Sequence, residues 1–117
     1  MIVGIGIDII EIDRVEQAIS RERFRARVFS PDERAYCDQA CSAERYAGRF
    51  AAKEAVAKAL SCSLNWREVE ILTSESGAPV PRLHGRALEH LGSGRLHVSI
   101  SHSRLYAVAQ AIVEREG

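Results

Sequence analysis

The chain has 117 residues, 46% of them hydrophobic, with sixteen Lys and Arg balancing sixteen Asp and Glu. That length suits one domain with a small core, and the even charge argues against a wholesale nucleic-acid binder. No run reaches the ~18 apolar residues of a membrane span; the start, MIVGIGIDII, lacks basic leader residues and meets Asp8 too early for a signal peptide, so a cytoplasmic protein is expected.

Ile2 to Ile12 reads as a strand, with Ile5, Ile7 and Ile9 on one face and Gly4, Gly6 and Asp8 on the other. Two glycines in a strand signal a bulge or the close approach of another backbone. Asp8 in this apolar setting has to be paired, liganded or at an edge, because burying it bare is too costly. Asp13 can cap a helix running to about Ser20. From Arg14 to Arg27 five arginines stand against two glutamates, and Arg14, Arg21 and Arg25 recur at helical spacing if that helix continues. Such a stripe suits an acidic partner.

Ser30-Pro31-Asp32-Glu33 has capping-box spacing with proline at the first helical position, so a second helix starts there. Cys37, Cys41 and Cys62 are an odd set without an export signal and read as reduced thiols. The first two stand a helical turn apart, but no further ligands follow at zinc-like spacing. Ser42 caps a long third helix to about Leu60, rich in strong helix formers. It carries Lys53 and Lys58, the chain's two lysines, with Glu54 between them. At about 100° per residue Glu54 and Lys58 share a face, flanked by Phe50 and Lys53. Ala52, Val56, Ala59 and Leu60 form the side to be buried. Glu54 and Lys58 read either as a solvated i,i+4 pair or as a metal-ligating acid beside phosphate-binding cations.

Val69, Ile71 and Thr73 alternate as a strand, Glu75 to Pro79 is a turn, and Val80 to Leu83 a short second strand. A helix from Gly85 to Leu91 stops at Gly92. Leu96 to Ser101 and Tyr106 to Val113 then form a hairpin around His102-Ser103-Arg104. The expected fold is α+β, a mainly antiparallel sheet with helices packed on one face. SISHS (Ser99 to Ser103) places a histidine among hydroxyls, a phosphate-binding arrangement; a nucleophile–base pair lacks the elbow and oxyanion loop of a hydrolase. Asp8 and Glu54 have the donor chemistry to share one magnesium ion.

Four segments, GIGIDIIEIDR (Gly4 to Arg14), GRFAAKEAVAKAL (Gly48 to Leu60), SGAPV (Ser76 to Val80) and HVSISHSRLYAVAQ (His97 to Gln110), together resemble holo-acyl-carrier-protein synthases, the small 4'-phosphopantetheinyl transferases. The resemblance spans almost the whole chain as one transferase domain, 1–117. It implies transfer of the phosphopantetheine arm of coenzyme A to a serine of apo-acyl carrier protein, releasing adenosine 3',5'-bisphosphate. It implies Asp8 and Glu54 as magnesium ligands, Glu54 as acceptor of the serine proton, and Lys58 as the cation on the diphosphate. Arg49, Phe50, Lys53, Gly77, Pro79, Ser101 and His102 join Lys58 as expected coenzyme A contacts. It also implies a homotrimer with sites between subunits, where Asp8 and Glu54 could meet across an interface. Arg14, Arg21, Arg23 and Arg25 would face the acidic carrier. Many relatives have a Gly-Thr-Gly-like segment where this chain has Ser61-Cys62-Ser63. Two alternatives remain from the residues themselves, a magnesium-dependent nucleotide phosphohydrolase and a non-catalytic arginine-rich binding module.

Overall fold

A computed structural model describes residues 1–116. The elements run β1 (Ile2–Glu11), α1 (Ile12–Ile19), α2 (Glu22–Val28), α3 (Pro31–Cys37), α4 (Ser42–Leu60), a 3-10 turn (Trp66–Glu68), β2 (Val69–Thr73), β3 (Pro79–Leu83), α5 (Gly85–Leu91), β4 (Arg95–His102) and β5 (Tyr106–Glu114). The α+β expectation holds, with the strands divided between two antiparallel sheets, β1-β5-β4 and β2-β3.

The long helix α4 is the centre of the molecule. Ala51, Ala52, Ala55, Val56 and Ala59 pack with Ala109, Ala111 and Val113 of β5 and with Val69 and Ile71 of β2. Small residues on both sides let helix and sheet approach closely. Gly4 and Gly6 take this to the limit: a Cβ on either would collide with the carbonyl oxygen of Ala59 or Ala55. Close approach therefore accounts for both glycines, while the only register shift of β1 lies between Ile2 and Gly4. Asp8 continues the same face of the strand, and the α4 side of β1 brings it towards Glu54 and Lys58.

The first helix ends near Ser20 as expected, while the conditional arginine stripe and the caps at Asp13 and Ser42 need correction. The arginine-rich stretch is not one helix: α1 ends at Ile19, and α2 begins at Glu22 after an extended Arg21. Arg14, Arg21 and Arg25 therefore form no continuous helical stripe. Ile12 and Val15 bury the first helix, and Val28 and Phe29 bury the end of the second, so tertiary contacts set the break. Asp13 sits inside the first turn of α1 rather than at its cap. The Ser30–Glu33 capping box forms as its spacing requires. Ser42 is the first residue of α4, preceded by Cys41 in the left-handed region at φ 49°.

The other end of α4 closes on a Schellman motif, in which Ser61 N–H donates to the Lys58 carbonyl and Cys62 N–H to that of Ala57. Ser61 takes φ 55°, the conformation for which glycine is preferred. Here serine carries it, so the turn keeps its shape without the expected glycine.

Candidate active site

Asp8, Glu54, Arg14 and Phe50 line one cleft, together with Glu11 and Tyr106. Glu54 also borders a second cleft of about 600 Å³, formed with Lys58 and the Ser61–Trp66 loop. Lys58 Nζ donates to Asp8 Oδ1 at 3.1 Å and to the Ile7 carbonyl at 2.9 Å. The carboxyl of Glu54 is pushed above its ordinary range, first by burial and then by the charge of Asp8, with Lys58 opposing. Asp8, Glu54 and Lys58 thus assemble within one chain, and the two acids need no subunit boundary to meet. Phe50 walls the cleft, stacked on Phe24 with centroids 6.1 Å apart and tilted against Trp66 at 5.0 Å.

A second group gathers elsewhere. Arg49, Gly77, Pro79 and His102 line a cleft on the β4 side of α4. Arg49 is buried, donates to the Thr73 hydroxyl, and lies 4.4 Å from the centroid of the Tyr36 ring. Its Nε is buried without a partner among the described residues. Arg45 covers the same ring at 4.0 Å. Tyr36 and Arg45 were not singled out from the sequence. The i,i+4 spacing of Arg45 and Arg49 was the available signal, since it puts both guanidiniums on one helical face. His102 Nδ1 lies 3.8 Å from Glu44. Ser101 is exposed on the outward face of β4 and does not line this cleft.

Lys53, expected as a cofactor contact, borders the cleft of Glu54 and Lys58 but has its side chain engaged inside the protein. Its side chain is 1% exposed, and its Nζ donates to Glu33 at 2.9 Å, to the Trp66 carbonyl at 3.1 Å and to the Val69 carbonyl. Burial pulls its pKa down while Glu33 opposes that shift. Every proton of this ammonium is engaged inside the protein, so Lys53 ties α3, α4 and the start of β2 together. Helical spacing put it near Glu54 around the helix, but the second sheet covers that side. Arg25 is likewise committed, paired with Glu22 at 2.6 Å, whereas Arg21 and Arg23 are exposed.

The two clusters lie towards opposite edges of the β1-β5-β4 sheet: Asp8 is on β1 and His102 on β4. One holds paired carboxylates with a cation, and the other a buried arginine and a histidine that line one cleft.

Residues 4–111 match the model of the 4'-phosphopantetheinyl transferase superfamily, and the chain belongs to that superfamily. Within it, the chain is 48% identical over 117 residues to the holo-[acyl-carrier-protein] synthase of Moorella thermoacetica, covering 93% of this chain and 91% of the relative. It is 42% identical to that of Koribacter versatilis, covering 97% and 99%. Among solved structures, a holo-(acyl-carrier-protein) synthase from Bacillus anthracis in complex with CoA (3',5'-ADP) superposes with a TM-score of 0.85 at 35% identity, covering 99% of both chains. The Helicobacter pylori synthase in complex with coenzyme A gives 0.83 at 32% identity, covering 94% of this chain and 99% of the other.

Proposed function

We propose that this chain, as one transferase domain over 1–117, moves the 4'-phosphopantetheine arm of coenzyme A onto a serine of apo-acyl carrier protein. The observation that carries the reading is the meeting of Asp8, Glu54 and Lys58 beside an open cleft, in a chain that belongs to the phosphopantetheinyl transferase superfamily.

Asp8 and Glu54 would hold magnesium. Two hard carboxylate donors on one cleft fit a cation that takes one or two protein carboxylates and leaves room for phosphate. When bound, that ion supplies positive charge at the diphosphate. Lys58 adds an ammonium on the same side, stabilising the charge that grows on the leaving phosphate. The serine oxygen bonds to the phosphorus of the pantetheine-bearing phosphate, and the bond from that phosphorus to the bridging oxygen breaks. Adenosine 3',5'-bisphosphate leaves with the bridging oxygen. Glu54, whose pKa is already raised, takes the serine proton. Arg49 and His102, which line one cleft, are the proposed nucleotide-phosphate contacts, with Gly77 and Pro79 as the loop beside the base. Arg14 borders the carboxylate cleft and faces the acidic carrier; exposed Arg21 and Arg23 extend that surface.

The active assembly is proposed to be a homotrimer. Ile5, Ile7 and Ile9 are 60%, 59% and 64% exposed along the outer face of β1, an apolar row that calls for a covering surface. The clusters towards opposite sheet edges fit a ring in which the β4 side of one copy meets the β1 side of the next. Arg49 and His102 of one copy would then complete the site of Asp8 and Glu54 in its neighbour. Use of coenzyme A and three free thiols support a cytoplasmic setting.

Incubating the protein with coenzyme A, magnesium and apo-carrier protein, then measuring intact carrier mass, tests the reaction. A carrier heavier by the phosphopantetheine arm is the expected result. Free pantetheine phosphate with an unmodified carrier would favour a phosphohydrolase instead.

A further inference from the structure

We propose that Lys58 is a resident counterion that occupies the metal-binding carboxylate until a diphosphate draws it away, so that metal and coenzyme A each strengthen the binding of the other. The inference rests on the assignment of Asp8 and Glu54 as metal ligands. Its basis is the placement of one ammonium. Lys58 Nζ bonds to Asp8 Oδ1 at 3.1 Å, and a second bond to the Ile7 carbonyl, at 2.9 Å, anchors it to the backbone of β1. This is therefore no loose surface pair. The ammonium already neutralises one of the two carboxylates that a divalent ion has to share.

An ammonium and a divalent cation cannot both sit on Asp8 without strong repulsion. Lys58 therefore works against metal binding while it stays there. Its side chain is 53% exposed and borders the cleft that also meets Glu54, so it has room to turn towards a ligand in that space. Diphosphate oxygens offer it new acceptors. Once Lys58 engages them, it no longer competes for Asp8, and its charge holds the phosphate against the site. Competition in the empty protein becomes cooperation in the liganded one. Linkage makes the effect mutual: coenzyme A tightens metal binding by the factor by which metal tightens coenzyme A binding.

The test is Mn2+ binding followed by the electron paramagnetic resonance of the free ion, with and without coenzyme A. Carrier protein is left out, so nothing turns over. The native protein is expected to bind Mn2+ weakly alone and more tightly with coenzyme A. Lys58→Met should bind Mn2+ alone roughly one-and-a-half- to fivefold more tightly than native, the range set by loss of a half-exposed ion pair, and coenzyme A should tighten that binding by a smaller factor than in the native protein. Lys58→Gln, which keeps a donor for the Ile7 carbonyl, should behave like Lys58→Met, and Lys58→Arg like native in the absence of coenzyme A. Unchanged or weaker Mn2+ binding in a folded Lys58→Met or Lys58→Gln overturns the proposal. Binding that ignores Asp8→Asn would sink the metal assignment itself, and the coupling with it.

Discussion

Gly6 on β1 and Ala55 on α4 touch backbone to backbone: a Cβ on Gly6 would overlap the Ala55 carbonyl and lie 2.8 Å from the Ala59 nitrogen. This contact sets how deep the helix sits on the sheet, and hence how near Asp8, two residues further along the strand, comes to Glu54. Gly6→Ala should cost about 3 kcal/mol, the upper range for overpacking where backbone cannot move aside. Urea unfolding measures it, and a native-like midpoint would show that the helix can lift at little cost.

Glu54→Gln separates stability from chemistry. The raised pKa means that the folded state favours the neutral acid. The stabilisation this brings is full below the ordinary value of 4.5 and is lost as pH rises through the folded value. At neutral pH the ionised Glu54 is a liability, so the glutamine variant should unfold at a higher urea concentration than native. That advantage should shrink as the pH falls through the raised folded value towards 4.5, and stay constant below it. Transfer should drop by roughly a hundredfold or more. A variant with near-native turnover at saturating magnesium would remove Glu54 from the mechanism.

Lys53→Met leaves Glu33 buried without its cation, together with the carbonyls of Trp66 and Val69. Losing one partner of such a pair typically costs about 3–5 kcal/mol. The fall in denaturation midpoint should be accompanied by an unchanged KM for coenzyme A in the protein that remains folded. A selective rise in that KM would restore Lys53 as a cofactor contact.

Ser61→Gly should stabilise the chain. Serine at φ 55° carries the strain that glycine avoids, partly offset by glycine's greater freedom when unfolded. A gain of about 0.5–1 kcal/mol is expected with activity retained, read from thermal or urea unfolding. A loss of stability would mean that the serine side chain itself supports the turn.

Ile7→Glu places a charge in the exposed isoleucine row of β1. On the proposed trimer, sedimentation should find three copies for the native protein and monomers for the variant, and transfer should fail because the two clusters no longer face one another. Mn2+ should still bind, since Asp8 and Glu54 border one cleft of the same chain. Retained assembly with full activity would place the interface elsewhere.

Local chemistry was sufficient for much of this architecture. The Ser30–Glu33 capping box, the alternation in β1, the turn before β3 and the final hairpin depend on neighbours a few residues away, and each appears as its residue types require. Asp8 stood out in the sequence because a carboxylate in an apolar strand needs a partner, and Glu54 and Lys58 because helical geometry puts them on one face. What that geometry leaves open is which surface covers which side of a helix. Lys53 lies near Glu54 in rotation, yet β2 and α3 close over it; the arginine stretch breaks at Arg21 because two separate apolar ends find different places in the core. Whether the glycines of β1 made a bulge or a close approach, and that the proposed phosphate contacts divide between opposite sides of the sheet, followed only from long-range packing. Such packing joins residues distant in the sequence, and no local spacing encodes that meeting.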